Sequence, residues 1–553
     1  MGVPQNFSII SLQQKKFHIA GIKLFILAVA NGMILGLTQV IPTLSILAII
    51  ALVPFFVILI QGIKVKRRLG LTGFALLSCF FMGFTVVDSF WMHKFGIDKI
   101  IGIAIINALL YATFLLPALL SSIYLEHKKL LTIGLAILGW SSLEVLHQTW
   151  LLAFPLHSLG TSLAEYPALF LWFRATGAIG GTIWILLFAV LLADVFMSWK
   201  TTRTWYPEYH LPVGMVLLGL LIFSIFQDKL IIPEASSSSV AIVHPDLEVR
   251  TERQSMTSVQ TIQYYIDLMD QFIKEVDSVD YILAPENVIL DGGFIEDIQS
   301  GNHNQAISLL KGYLSGANTV LYIGAFIYKD VTNNPRRAGD NLAQDGEHYF
   351  RAYNVTLEIS KEAVRIAHVK DRLVPFEEFI PFPSLLSSLT STVGGFKFYL
   401  SKDHYLKNDR LERTSATGHL ICYESAFSFE VAKRVAEKDF NILTVQLNEG
   451  WYDGYTGPRK FALHATARAI ETGRCVIRSS NRGISSAVNS VGQSICIEKD
   501  KNPSVLFVKI NPNTKDTWFV RVGYRIVPFS INLLFVGSII VMLMFLFKRK
   551  VER

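Results

Sequence analysis

The sequence predicts a multi-pass α-helical membrane domain of about eight transmembrane helices, joined to an α/β sandwich outside the membrane. Over residues 21–228, long apolar runs alternate with short charged breaks, and most runs reach the ~20 residues that cross a bilayer. Over residues 240–510, short apolar runs alternate with helix-like stretches, as in layered α/β domains. We therefore predict a membrane domain at 1–235, an outer sandwich at 236–525, and a final membrane helix with its tail at 526–553.

The composition supports a membrane protein of more than one domain. Of the 553 residues, 51% are hydrophobic and 17% charged, whereas soluble domains carry about 25% charged residues. The net charge of +7 does not indicate nucleic-acid binding, because the basic residues of the N-terminal half lie in short clusters beside apolar runs. Four cysteines are too few for a disulfide framework or a zinc site. Cys475 and Cys496 could pair in an oxidising compartment, although we expect unpaired buried thiols.

Eight apolar runs are assigned as membrane spans. Helices buried in a soluble core are the alternative, but seven such runs in succession argue against it. Residues 28–30 resemble a signal-peptidase site, yet the preceding segment and the following stop-transfer pattern favour a retained anchor. The spans lie near 21–38, 43–61, 69–91, 99–124, 130–152, 170–198, 211–228 and 528–547.

The basic residues predict the orientation of these spans. Clusters precede the first span, follow the second, fourth and sixth, and end the chain. The alternate loops hold little beyond Lys94 and Lys99. The positive-inside rule assigns the clustered side to the cytoplasm. Both termini are therefore expected inside, and residues 229–527 outside. The loop 153–169 falls on the same outer side and lacks Lys and Arg, so it either faces an active site or is a plain connector.

The outer segment is predicted to alternate strands with helices. Strands are expected at 240–243, 280–284, 319–327, 348–359, 363–369 and 441–446, helices at 256–277, 302–316, 426–438 and 457–473, and further short strands up to 510. The segment has no phosphate-binding glycine loop, and no His/Asp/Glu cluster has metal-ligand spacing. We therefore expect neither a cofactor nor a metal.

A cysteine at the junction of a predicted strand and helix is the first candidate for chemistry. Residues 418–425 read GHLICYES, which places Cys422 directly after a buried strand. A helix N-terminus can lower a thiol pKa and hold an oxyanion. By itself this signal is weak, because most cysteines are inert core residues.

Two strand ends upstream strengthen the case. Glu286 follows the apolar run at 280–284, and Lys370 precedes Glu378 by eight residues. Acyl transfer through a thiol needs a base and a cationic oxyanion donor, so Glu286 is the candidate base, Lys370 the oxyanion donor and Cys422 the nucleophile. Taken singly, Glu286 could be a solvated turn residue and Lys370 a surface lysine.

In this order, the three residues resemble the Glu-Lys-Cys triad of the nitrilase superfamily. More specifically, the pattern KxxLVPFxE at 370–378 with ICYE at 421–424 is similar to the apolipoprotein N-acyltransferase family. The resemblance implies that the outer domain is a nitrilase-like αββα sandwich. It also implies that Glu378 is a second carboxylate that orients Lys370 or helps to shuttle the proton, and that Glu424 makes a structural hydrogen bond. Tyr423 would supply a backbone N–H to the oxyanion, or its side chain would simply pack in the core.

The chain also has a counterpart of the family's loop after the next strand, and some departures from the family pattern. Asn448, Trp451 and Tyr452 lie in this loop and are candidates for the substrate entrance. Glu377 stands where the family usually has glycine, and Arg482 where threonine is expected.

The resemblance implies a bacterial inner-membrane enzyme with its catalytic domain facing the periplasm. It would move an acyl chain from a phospholipid donor to the N-terminal amine of a diacylated lipoprotein acceptor, through a cysteine thioester, as the last step of lipoprotein maturation. The expected partners are these substrates and the lipid bilayer, with no nucleic acid, and we expect a monomer. One alternative is a membrane-anchored nitrilase-type amidohydrolase. The other is a transporter or receptor, but few ionisable residues (mainly Asp88, Glu144 and Asp194) lie in the spans.

Overall fold

A computed structural model gives the architecture of the chain. It describes residues 7–61, 69–125, 128–202, 207–228, 237–253, 255–273, 279–335, 340–343, 345–382, 399–401, 416–452, 454–499 and 501–551. The predicted boundary at 235/236 lies outside the described residues, as do parts of the basic clusters at 64–68 and beyond 551.

Eight helices of the described residues are long and apolar enough to cross a membrane, which confirms the predicted multi-pass architecture. The helices of the first half are α1 (Phe7–Val40), α2 (Ala48–Gln61), α3 (Leu69–Asp88), α4 (Ile97–Tyr124), α5 (Lys129–Leu146), the short α6 (Phe173–Thr176), α7 (Ala178–Thr202) and α8 (Pro207–Asp228). The last spanning helix begins at Tyr524 and ends at Val551, so the predicted boundary at 525/526 falls inside it.

Two predicted spans end or begin differently in the structure. The span expected at 130–152 stops at Leu146, and the next side chain, His147, accepts the backbone N–H of Phe154. The span expected at 170–198 begins only at Ala178, since Gly177 has φ +71° and breaks the helix. The chain between these two helices forms short 3₁₀ turns and the one-turn helix α6.

Small residues and stacked aromatics bring the membrane helices together. A Cβ at Gly32 or Gly83 would lie 1.9 Å or 2.3 Å from a carbonyl oxygen of the facing helix, so only glycine permits this approach of α1 to α3. Deeper in the bundle, the ring of Phe81 stacks on Tyr111 with centroids 4.3 Å apart, and Trp140 packs edge-on against Phe81 at 5.0 Å. Lipid tails are as apolar as these side chains, so the hydrophobic effect does not drive the helices together. Van der Waals packing between such surfaces stabilises their association instead.

The outer segment contains two mixed β-sheets. Its strands are β1 (Ser238–His244), β2 (Tyr281–Leu283), β3 (Val320–Asp330), β4 (Asn341–Leu342), β5 (Tyr349–Ile359), β6 (Val364–Val369), β7 (Thr417–Ile421), β8 (Ile442–Leu447), β9 (Cys475–Ser480), β10 (Ser485–Val488), β11 (Ser494–Glu498) and β12 (Ser504–Ile510). The seven-stranded sheet has the order β12-β1-β2-β3-β5-β4, with β6 paired to β5. The five-stranded sheet has the order β11-β10-β9-β8-β7.

The two sheets pack face to face between two helical layers. Apolar residues from both sheets, including Ile242, Tyr322 and Ile477, form the core between them. The helices of this segment are α9 (Ser258–Ile273), α10 (Ile295–Ser300), α11 (Gln305–Tyr313), α12 (Ser428–Lys438) and α13 (Thr456–Thr472). The first three share a core with the seven-stranded sheet, and the last two with the five-stranded sheet. This arrangement confirms the predicted αββα sandwich.

Buried polar contacts attach the sandwich to the membrane helices. Asp88, fully buried at the end of α3, accepts a 2.5 Å hydrogen bond from the ammonium of Lys460 on α13. Glu471, at the other end of α13, accepts the backbone N–H of Ala178 at 2.7 Å. Burial lowers the pKa of Lys460, and Asp88 opposes that effect. Removing one partner of such a pair leaves an uncompensated buried charge.

We expect Lys460→Met to destabilise the protein by about 3–5 kcal/mol, because Asp88 would then lie buried without its counter-ion. Thermal unfolding of the detergent-solubilised protein measures the effect. The double variant Asp88→Asn/Lys460→Met, which removes both charges, should recover most of the loss. The exposed Lys433→Met on α12 provides the matched control. A Lys460→Met protein that melts like the wild type would contradict the role given to this pair.

Candidate active site

The three candidate catalytic residues each follow the carboxyl end of a strand. Glu286 lies three residues beyond β2, and Lys370 and Cys422 come directly after β6 and β7. Strand β5 is antiparallel to both β3 and β6, so β6 runs in the same direction as β3. Strand β2 is parallel to β3, so β2 and β6 also run in the same direction. Within this site, Lys370 Nζ donates to Glu286 Oε1 at 3.1 Å and to Glu378 Oε1 at 2.6 Å.

Glu286 is held in place by its backbone and by an amide. A Cβ at Gly324 of β3 would lie 2.6 Å from the Glu286 Cα, so the loop after β2 packs directly on this glycine. The side chain is 5% exposed, and its Oε1 also accepts a 2.7 Å hydrogen bond from Asn354 Nδ2 on β5. Asn354 was not predicted from the sequence, because nothing near it distinguishes it from other strand residues.

Lys370 is 1% exposed and carries its charge between two carboxylates. Burial alone would lower its pKa, but Glu286 and Glu378 outweigh burial and raise the pKa well above its usual value. Burial raises the pKa of Glu378, Lys370 opposes that shift, and Glu286 adds to it. A permanently charged ammonium in a buried site is what an oxyanion donor requires.

Glu378 and its neighbour Glu377 point in different directions from one tight turn. Glu378 Oε2 accepts the backbone N–H of Val374 at 2.8 Å, which fixes the carboxylate over Lys370. Glu377, which departs from the family's usual glycine, pairs with Lys99 at the start of α4. Both side chains of that pair are about one-third exposed, so it adds little to stability. Its effect is to tie the turn to a membrane helix.

Cys422 begins a 3₁₀ turn between β7 and α12 with φ +50°, which is an uncommon conformation for a non-glycine residue. Burial, followed by the charge of Glu286, raises the pKa of its thiol well above the usual value, although Lys370 opposes this. The sequence argument that a helix N-terminus lowers the thiol pKa is therefore wrong here. A thiol with a raised pKa needs a base before it can act as a nucleophile.

The rate at which iodoacetamide alkylates Cys422 should rise about tenfold per pH unit between pH 7 and pH 9, with no plateau, because only the thiolate reacts. The raised pKa keeps the thiolate a minor species over this range. Mass spectrometry of the peptide containing Cys422 measures the rate separately from the other three cysteines. A plateau at or below pH 8 would show a thiolate already formed at rest.

The two residues after Cys422 connect this position to the rest of the protein. Tyr423 is buried, and its hydroxyl donates a 2.6 Å hydrogen bond to the carbonyl of Ala153 in the predicted outer loop. Glu424 accepts from His368 Nε2 at 2.7 Å and from the backbone N–H of Ile421 at 2.8 Å. Burial alone would raise the pKa of Glu424, but His368 and its other donors lower it to about 2. Glu424 is thus the buried anion that joins β6 to β7.

The three predicted residues of the loop after β8 lie in different surroundings, and only one of them lines the cavity described below. Tyr452 packs edge-on against Trp91, with centroids 4.8 Å apart, and it lines the cavity described below. Asn448 is buried and accepts a 3.1 Å hydrogen bond from Asn481. Trp451 is half-buried and does not line that cavity in the described part of the chain. Arg482, the other departure from the family, pairs with Asp246 at 3.3 Å.

A cavity of about 340 Å³ extends from Cys422 to the membrane helices. Cys422, Tyr423 and Tyr452 form its wall on the sandwich side, and α4 forms its opposite wall with residues such as Gly102 and Ile106. Ala153, Phe154 and Leu156 of the outer loop also line it, so this loop faces the same cavity as Cys422. Across the described residues, no group of three or more His, Cys, Asp or Glu could hold a metal ion.

The membrane helices and the outer sandwich make the protein similar to carbon–nitrogen hydrolases with an added membrane domain. A carbon–nitrogen hydrolase family model matches residues 334–514, which include Lys370 and Cys422 but not Glu286. The model for the apolipoprotein N-acyltransferase N-terminal domain matches residues 31–191. The chain is therefore similar to apolipoprotein N-acyltransferases in its membrane segment and to carbon–nitrogen hydrolases in its outer segment.

Individual relatives cover the chain to different extents. The apolipoprotein N-acyltransferase of Photobacterium profundum is 25% identical over 488 residues, which are 84% of this chain and 85% of the relative. That of Rhodopseudomonas palustris is 26% identical over 475 residues, 80% of this chain and 81% of the relative. That of Shewanella oneidensis is 25% identical over 300 residues, so the match spans only 52% of that relative. These similarities support an acyltransferase of the lipoprotein N-acylation family.

Proposed function

We propose that the protein transfers a fatty acyl chain from a membrane phospholipid to the N-terminal amine of an S-diacylglyceryl-cysteine on a lipoprotein, through a thioester on Cys422. The observation that carries this proposal is the cavity that joins Cys422 to α4. Its volume lies at the lower end of ligand pockets, which measure about 300–1,000 Å³. Apolar side chains from α4 give an acyl chain a route from the bilayer to the thiol.

In the first half-reaction, Cys422 gives its proton to Glu286 and its sulfur attacks the ester carbonyl of the phospholipid. The ammonium of Lys370 stabilises the oxyanion that forms, and Glu378 keeps that ammonium in position. The ester C–O bond then breaks, and Glu286 returns the proton to the leaving glycerol oxygen. The products are an acyl-thioester on Cys422 and a lysophospholipid.

In the second half-reaction, the neutral amine of the lipoprotein attacks the thioester carbonyl. The C–S bond breaks, and Glu286 carries the proton lost by the amine to the Cys422 sulfur. The apolar walls of the cavity, including Trp91 and Phe461, protect the thioester from water until the amine arrives. A membrane setting also supplies both amphiphilic substrates by lateral diffusion.

The proposed location is the bacterial inner membrane, with the sandwich in the periplasm and both chain termini in the cytoplasm. The support is the distribution of basic residues, which cluster on one side of the spans. In this orientation the cavity opens beside the outer leaflet, where lipoprotein N-termini reside. We further propose that the protein acts as a monomer, because one chain supplies Glu286, Lys370 and Cys422.

Intact mass spectrometry of the purified protein tests this function. Incubation with phospholipid should add one acyl group, labile to hydroxylamine, and the adduct should persist until a diacylated lipopeptide with a free amine is added. An N-acetylated lipopeptide, which offers no amine, should leave the protein acylated. Rapid release of free fatty acid without any acceptor would favour the hydrolase alternative and overturn the proposal.

A further inference from the structure

Phe376 combines three unusual features in the turn that carries Glu378. Its φ is +63°, a left-handed conformation that is an outlier for a bulky side chain. Its side chain is nevertheless 42% exposed, so burial within the protein does not offset the backbone strain. The same residue lines the cavity that contains Cys422. Strained residues cluster at functional sites, and the exposed ring indicates a contact outside the chain.

The next residue places Phe376 at the level where a membrane span begins. Glu377 pairs with Lys99, which lies in the first turn of α4. On this helix, which is long and apolar enough to cross a membrane, Ile97 is 60% exposed and Ile101 48%. Apolar side chains exposed on a spanning helix face lipid. The turn that carries Phe376 is therefore held at the boundary between the sandwich and the lipid.

The cavity reaches the lipid-facing surface of the same helix. Ile106 lines the cavity and is also 40% exposed. It lies two turns after Lys99, about 10 Å along the helix. Lys99 and Glu377 line the cavity as well, so its wall on α4 extends from the boundary into the membrane. Phe376, beside Glu377, belongs to the boundary end of this cavity.

We propose that the ring of Phe376 inserts into the surface of the outer leaflet and guides the phospholipid donor into the cavity. An apolar ring gains free energy when it leaves water for the boundary between headgroups and acyl chains. The partner is the lipid surface, because the turn that carries Phe376 is continuous with the lipid-facing side of α4. The guiding role rests on the proposed function, whereas insertion requires only that α4 spans the membrane.

Fluorescence quenching tests the insertion and does not require activity. Dansylalanine replaces Phe376 in the full chain, and the protein is placed in phosphatidylcholine nanodiscs whose lipids carry a nitroxide near the glycerol end of an acyl chain. The label should be quenched about as strongly as one at Phe90, which is 55% exposed in the turn between α3 and α4. A label at the exposed Gln263 should remain unquenched, because α9 covers the seven-stranded sheet, on the side away from the membrane helices. Quenching at Phe90 without quenching at Phe376 would overturn the inference.

Phe376→Asn tests the guiding role, because asparagine tolerates the left-handed conformation and removes the apolar ring. The mole fraction of phospholipid in detergent micelles that half-saturates acyl-enzyme formation should rise about tenfold, while the maximal rate stays within about twofold. Phe376→Leu keeps an apolar side chain and should recover most of the loss. Gln263→Asn is the matched control and should leave both quantities unchanged.

An unchanged half-saturating fraction in Phe376→Asn would overturn the inference. A fall in the maximal rate alone, equal in Phe376→Asn and Phe376→Leu, would indicate a disturbed turn at Glu378 and would overturn it too. A label at Phe376 that is quenched by a nitroxide-bearing lipopeptide and not by the labelled phospholipid would assign the ring to the acceptor, again against the inference. If Phe376→Asn fails to fold, the quenching experiment decides. Failure of the wild type to form an acyl-enzyme would refute the proposed function, and quenching would still decide the insertion.

Discussion

Replacing Cys422 with serine should abolish both the acyl adduct and transfer to a lipopeptide. Burial and the charge of Glu286 already raise the pKa of the Cys422 thiol well above its usual value. A serine hydroxyl is far harder to deprotonate than a thiol, so the same base would be unable to generate the nucleophile. The fold should persist, because the change removes little volume from a residue that is only partly buried. Intact mass after incubation with phospholipid measures the loss.

Cys496→Ser is the matched control, because Cys496 is a partly buried free cysteine on β11. It should acquire the acyl group at the wild-type rate. Acylation of Cys422→Ser at that same rate would remove Cys422 from the mechanism, and the adduct would then have to be located on another side chain.

The strand ends that carry the proposed triad could be predicted because their signals are local. An apolar run that stops at a polar residue is visible in one segment, as at Ile421–Cys422. The predicted strands at 319–327 and 348–359 correspond to Val320–Asp330 and Tyr349–Ile359. Regular alternation of such runs also predicted the sandwich, since each element must bury one face.

The surroundings of the site could not be predicted, because they depend on contacts between distant segments. Asn354 reaches Glu286 across 68 residues, and Lys99 reaches Glu377 across 278. The cavity itself needs α4, the outer loop and the β7–α12 turn to be assembled. The raised thiol pKa has the same origin, since burial is a property of the folded chain and outweighs the local helix terminus.

The ends of two membrane helices could not be predicted from the apolar composition. The expected spans at 130–152 and 170–198 were too long because apolar composition continues past Leu146 and begins before Ala178. The structure instead uses His147 to receive a backbone N–H and Gly177 at positive φ to turn the chain. Both departures lie beside the loop 153–169, part of which lines the cavity.

Glu286→Gln and Lys370→Met should each slow acyl-enzyme formation by about 10²-fold or more, the scale of losing one base or one oxyanion donor. Glutamine can still accept the Asn354 N–H, so the first variant removes the base and preserves the buried contact. Methionine fills the space of Lys370 without its charge. Single-turnover acylation, followed by intact mass, measures both rates.

The pH dependence separates the two roles. In Lys370→Met, the carboxylates of Glu286 and Glu378 would face each other without the ammonium that now contacts both. One of them would take up a proton, so acylation should recover only at higher pH than in the wild type. Glu286→Gln has no carboxylate to regain, so its acylation should rise with pH only as the thiolate forms and should remain below the wild-type rate at each pH. Lys361→Met and Glu362→Gln, on an exposed turn, are the controls, and wild-type rates in either site variant would exclude that residue from catalysis.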